Sequence, residues 1–138
     1  MKLHEMRIKL RGSRSENTEP FMDEFNRMTK SNPMGRGRLF DGVSIELAPF
    51  DGKIHLSDIV ALDAKSEGKG TKALKMLTDL ADRHNVMITG TAKGYSDDPR
   101  HINSSGRLKQ WYTKHGFTVT GGSEDEGFEM FYKPTRPH

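Results

Sequence analysis

The chain has 138 residues, 33% hydrophobic and 30% charged, with mean hydropathy −0.77, net charge +3 and a pI near 9.2. That length fits a single domain over 1–138, burying roughly 68% of its unfolded surface around one lean core. Without cysteine, disulfides, a thiol nucleophile and Cys-ligated zinc are excluded.

No apolar run approaches the roughly 18 residues of a membrane span, and no signal-peptide core opens the chain. A cytoplasmic protein without a membrane partner is therefore expected. The mild positive charge permits an anionic ligand without demanding nucleic acid, which is not expected as a partner. The six histidines are scattered without helical ligand spacing, so no metal site is expected.

Met1 to Leu10 alternates weakly and reads as an edge strand, followed by a polar break over Gly12–Asn17. A helix is predicted from near Thr18, with Pro20 in its first turn and Phe21, Phe25 and Met28 on one face. Asn32-Pro33 ends it, and Asn32 to Arg38 reads as a Gly/Arg loop. Val43, Ile45 and Leu47 alternate as a strand. Asp51-Gly52 predicts a hairpin turn, and Ile54, Leu56, Val60 and Leu62 form the return strand. Asp58 falls on the same face as those four and breaks the pattern.

A helix is predicted over Thr71–His84, with Ala73, Leu74, Leu77, Leu80 and Ala81 on its apolar stripe. Lys75–Asp79 and Asp79–Arg83 are i,i+4 pairs on its wet side. Val86 to Ala92 reads as a strand, and Lys93 to Asn103 as a polar loop. Ser104 or Ser105 caps a short helix bearing Leu108, Trp111, Tyr112 and His115. Gly116 stops it. Two final strands, Phe117–Thr120 and Phe128–Lys133, are linked by Gly121–Gly127, whose Glu124-Asp125-Glu126 reads as a solvated loop. The order β, α, β, β, α, β, α, β, β implies a mixed α/β fold with a partly antiparallel sheet.

The stretch Lys65-Ser66-Glu67-Gly68-Lys69-Gly70-Thr71 lies between an apolar strand and an amphipathic helix. A strand, a glycine turn and a helix N-terminus aim free backbone N–H groups outward, where the helix dipole favours negative charge. Gly68 and Gly70 keep Cβ atoms out of the way. A phosphorylated ligand fits such a turn. Gly68 and Gly70 alone would also fit a plain loop.

Two segments resemble the GNAT superfamily of N-acetyltransferases. Val60 to Gly70 is similar to that family's strand followed by Arg/Gln-x-x-Gly-x-Gly/Ala, with Lys65 where Arg or Gln is usual. Trp111-Tyr112-Thr113-Lys114-His115-Gly116-Phe117 resembles its Tyr-x-x-x-Gly-Phe. The resemblance covers roughly residues 43–133. Ser105 departs from it, standing where the family often has Asn.

The resemblance implies a GNAT-like, mostly antiparallel central sheet flanked by helices, and acetyl-coenzyme A as co-substrate. Its diphosphate would rest on Lys65, Glu67, Gly68, Lys69, Gly70 and Thr71, and its pantetheine arm beside Ile59 and Val60 where the strand bulges. The implied acceptor is an amine, either a small molecule or a protein lysine or N-terminus, attacked directly in a ternary complex by a monomer or homodimer. Tyr112 stands in the position of the acid that protonates the leaving thiolate, and a core tyrosine is the rival reading. Asp58 is the candidate base, with His55 or a water chain as alternatives and a structural Arg partner as its plain reading. A non-catalytic GNAT-like binding or inhibitory protein is the alternative function.

Overall fold

The structure, a computed structural model, describes residues 12–33, 35, 37–61, 68–94 and 104–135. The strand expected at Met1–Leu10 and the site residues Lys65 and Glu67 lie outside the described residues.

Helix α1 runs from Gly12–Met28, so the expected polar break lies within it and Pro20 sits inside the helix rather than in its first turn. Pro20 forfeits one i→i−4 bond. The packing of Phe21 and Phe25, 0% and 1% exposed, offsets that loss. Met28 was expected on the same stripe but is 43% exposed, as the last helical residue. Arg38 closes this helix end instead of Asn32-Pro33. It donates from Nε to Thr29 Oγ1 at 2.7 Å, and from a terminal nitrogen to the carbonyls of Asn26 and Thr29.

Strands β1 (Lys30–Ser31) and β2 (Arg38–Phe40) flank the segment expected as a loop and share only Arg38 with it. Strand β3 (Val43–Phe50) follows a two-residue turn at Asp41-Gly42, and β4 (Lys53–Ala61) a second at Asp51-Gly52. Both dipeptides have positive φ, 48° and 81° in the first and 54° and 75° in the second. That is the hairpin geometry Asp-Gly favours.

Helix α2 (Lys69–His84) begins two residues before its expected start, and β5 (Ile88–Ala92) follows. Helix α3 (Ser105–Lys114) leads to β6 (Thr118–Ser123) and β7 (Gly127–Tyr132). The link between these last strands is therefore shorter than expected. The sheet order is β1-β2-β3-β4-β5-β7-β6, antiparallel at every step except the parallel β4–β5 pair. The fold is the mixed, mostly antiparallel sheet flanked by helices that the sequence implies.

Cross-strand partners share a face. One face therefore carries the buried residues Val43, Ile45, Ile54, Leu56, Ile88, Met130 and Tyr132. The expected stripe of α2 (Ala73, Leu74, Leu77, Leu80 and Ala81) is buried in the same core, together with Phe21 and Phe25 of α1. Arg83 pairs with Glu24 of α1, which also accepts from His84 Nε2 at 2.8 Å. Tyr132 Oη donates to Asp82 of α2 at 2.9 Å, which ties β7 to the helix layer.

Candidate active site

A break in strand register shapes the site. Leu47 pairs with Leu56, but Glu46 pairs with Asp58, so Ser57 is an extra residue in β4. Such a bulge reverses the facing of everything beyond it. Ile59, opposite Ile45, packs against the core, while Asp58 and Val60 turn to the other face. This corrects the expected stripe for Asp58 and Val60, which do not share the face of Ile54 and Leu56; Leu62 lies outside the described residues. Asp58 does not interrupt an apolar face, because the strand has changed faces before reaching it. Its cross-strand neighbour is Glu46, not an arginine.

The bulge also marks where β4 and β5 part. They pair from Ile54 with Ile88 to Leu56 with Gly90. Beyond that point a cleft of about 460 Å³ opens. Ser57, Asp58, Ile59 and Val60 line one side, Thr91, Ala92 and Lys93 the other, and Leu108 and Tyr112 of α3 also reach it. Two residues that chain position holds far apart, Asp58 and Tyr112, thus share one cavity.

Asp58 is exposed at the cleft, yet partial desolvation raises its carboxyl above the ordinary range, and the negative charge of Glu46 adds to that. A hydrogen bond from the Ile59 N–H works the other way. Tyr112 is 5% exposed, so it is both core residue and cleft wall. Its ring meets the edges of Trp111 at 4.8 Å and Phe117 at 5.2 Å. His55 is not among the residues lining the cleft. It lies 3.3 Å from Thr89 Oγ1 on the solvent side of the sheet.

Ser104 caps α3 by accepting from the Arg107 N–H at 3.1 Å. The neighbouring Ser105 hydroxyl accepts from the Gly94 N–H at 2.9 Å, which holds the end of the β5 segment to the helix. Asp125 and Glu126 are exposed in a turn, as expected of a solvated loop, but Glu124 is engaged: its carboxylate accepts from the Gly106 N–H at 3.0 Å. A carboxylate at a helix start is favoured by the helix dipole. Nothing local in the sequence signals this pairing, since the partners lie 18 residues apart.

The glycine turn leads into α2. Gly68 is the N-cap, at φ 83° in the left-handed region, with no side-chain cap. The first helical bond runs from the Lys72 N–H to the Gly68 carbonyl at 2.9 Å. The N–H groups of Lys69, Gly70 and Thr71 precede it and have no intrahelical acceptor. A Cβ built on Gly68 would meet nothing within 4 Å, so the space beside the turn is open. Open backbone donors, a helix N-terminus and lysines 69 and 72 fit a diphosphate. Trp111 of α3 donates from Nε1 to Thr71 Oγ1 at 3.0 Å. This bond brings the helix start and the cleft helix together.

No family model matches the chain, and no curated protein does. Among solved structures it is similar to the PaiA N-acetyltransferase from Thermoplasma acidophilum in complex with coenzyme A. That match has 20% identity and a TM-score of 0.47, over 70% of this chain and 58% of the other. It is also similar to an acetyltransferase from Thermus thermophilus, with 16% identity and a TM-score of 0.44, over 66% of this chain and 54% of the other. The chain thus spans a little over half the length of each.

Proposed function

We propose that the protein is an N-acetyltransferase that moves an acetyl group from acetyl-coenzyme A to a primary amine by direct attack. The observation that carries this reading is the bulge at Ser57, which opens a cleft holding Asp58 and Tyr112. The open helix start at Gly68 to Thr71 adds a fitting place for the diphosphate. The family resemblance of the two sequence segments points the same way.

Bound acetyl-coenzyme A supplies an activated acetyl thioester. The backbone N–H groups of Gly70 and Thr71 hold its diphosphate, and the freed edge of β4 at Ile59 and Val60 lines the pantetheine arm. Asp58 accepts a proton from the incoming ammonium, leaving the amine lone pair free to attack. A lysine-type amine ordinarily titrates near pH ~10.4, so this step needs a base. A carboxyl raised by partial desolvation and by Glu46 is better matched to it than an ordinary aspartate. As the C–N bond forms and the C–S bond breaks, Tyr112 gives its hydroxyl proton to the departing sulfur, and the phenolate is restored by the second proton that the nitrogen loses on becoming an amide.

Tyr112→Phe tests the assignment. The expected outcome is a kcat lower by about 10²-fold, the scale of one proton-transfer group, with unchanged affinity for acetyl-coenzyme A. Unchanged turnover would remove Tyr112 from the mechanism and leave it a core residue.

A further inference from the structure

We infer that Trp111 is a positioning residue: it locks the start of α2 to the helix that carries Tyr112 and turns the Thr71 hydroxyl proton towards the diphosphate. This rests on the coenzyme A reading above. An indole N–H can only donate, so in the 3.0 Å Trp111–Thr71 bond the threonine oxygen is the acceptor. The hydroxyl proton is not used in that bond and can be given to an anion at the helix start.

The surroundings place Trp111 at the junction. A Cβ on Gly70 would lie 3.7 Å from the indole ring, an ordinary contact distance, so the ring lies beside the turn. The same ring meets Tyr112 edge-on, with centroids 4.8 Å apart. One side chain therefore touches both the anion-binding turn and the neighbour of the cleft. Its bond spans 40 residues of chain, between two different helices.

Trp111 is the chain's single tryptophan, so its emission reports on this junction alone. The test titrates coenzyme A into wild type, Thr71→Val, Trp111→Phe and the double variant by calorimetry, with melting temperatures measured alongside. Emission is followed in the two proteins that keep the indole.

The wild-type emission is expected to change on binding. Thr71→Val should weaken binding about tenfold, as for a lost hydrogen bond to a charged group. Trp111→Phe should weaken it by several-fold, and the double variant should be no worse than Thr71→Val. Losses that multiply in the double variant, or no change in either single variant while wild type binds, would overturn the inference and leave the acetyltransferase reading standing. Wild-type protein that binds no coenzyme A would overturn both.

Discussion

Asp58 shows how one residue's environment follows from a single added residue upstream. The bulge at Ser57 places it opposite Glu46, and two carboxylates facing across a strand pair repel. The raised Asp58 pKa means that the fold holds this proton more readily than an ordinary aspartate does. As a base it must be deprotonated, so activity should fall as pH drops through its folded pKa, above the ordinary 3.8. Glu46→Gln removes the like charge and should move the acid limb of the kcat/KM profile to lower pH. A limb that stays in place would show that another group sets it. In the sequence, the trace of this arrangement was the break in alternation at Asp58. A period-two pattern assigns such a residue to the wrong face, because it cannot register an extra residue in one strand.

Turns and caps are decided at the level of the element. The Asp51-Gly52 hairpin was legible, and the identical Asp41-Gly42 dipeptide carried the same signal for β2. Gly42 sits at φ 81°, so Gly42→Ala is expected to destabilise the protein by about 1 kcal/mol in a urea melt. The extension of α1 through Pro20 was not legible, because tertiary packing of Phe21 and Phe25 overrides a local breaker. Nor was the reach of Glu124 to Gly106, which depends on where the β6–β7 hairpin lies against α3.

His84 links α1 to α2, donating from Nε2 to Glu24 at 2.8 Å. Burial, then the charges of Arg83 and Arg27, hold its pKa below 6.5. They outweigh the Glu24 carboxylate, whose charge Arg83 already engages. Below 6.5 the unfolded chain binds the proton more readily than the folded one, so stability falls as the protein is acidified towards the folded pKa. His84→Gln should flatten the melting-temperature profile in that window. An unchanged slope would assign the pH dependence to other groups.

Across the whole molecule, the parallel β4–β5 pair separates within its length and leaves a cavity. The chain order of the elements from β3 onward and the apolar stripe of α2 were readable from periodicity. The detailed junction was not, since Trp111–Thr71 and Asp58–Glu46 are contacts between distant segments. On the reading proposed above, the turn at Gly68 and the cleft form one coenzyme A site. Calorimetric titration with acetyl-coenzyme A, beside Gly68→Asp, tests this most directly. Asp is strained at φ 83° and sets a negative charge where the diphosphate would lie. Micromolar binding by wild type is expected, and its loss in a variant that still folds. A well-folded wild-type protein that binds no acetyl-coenzyme A would contradict the single-site reading.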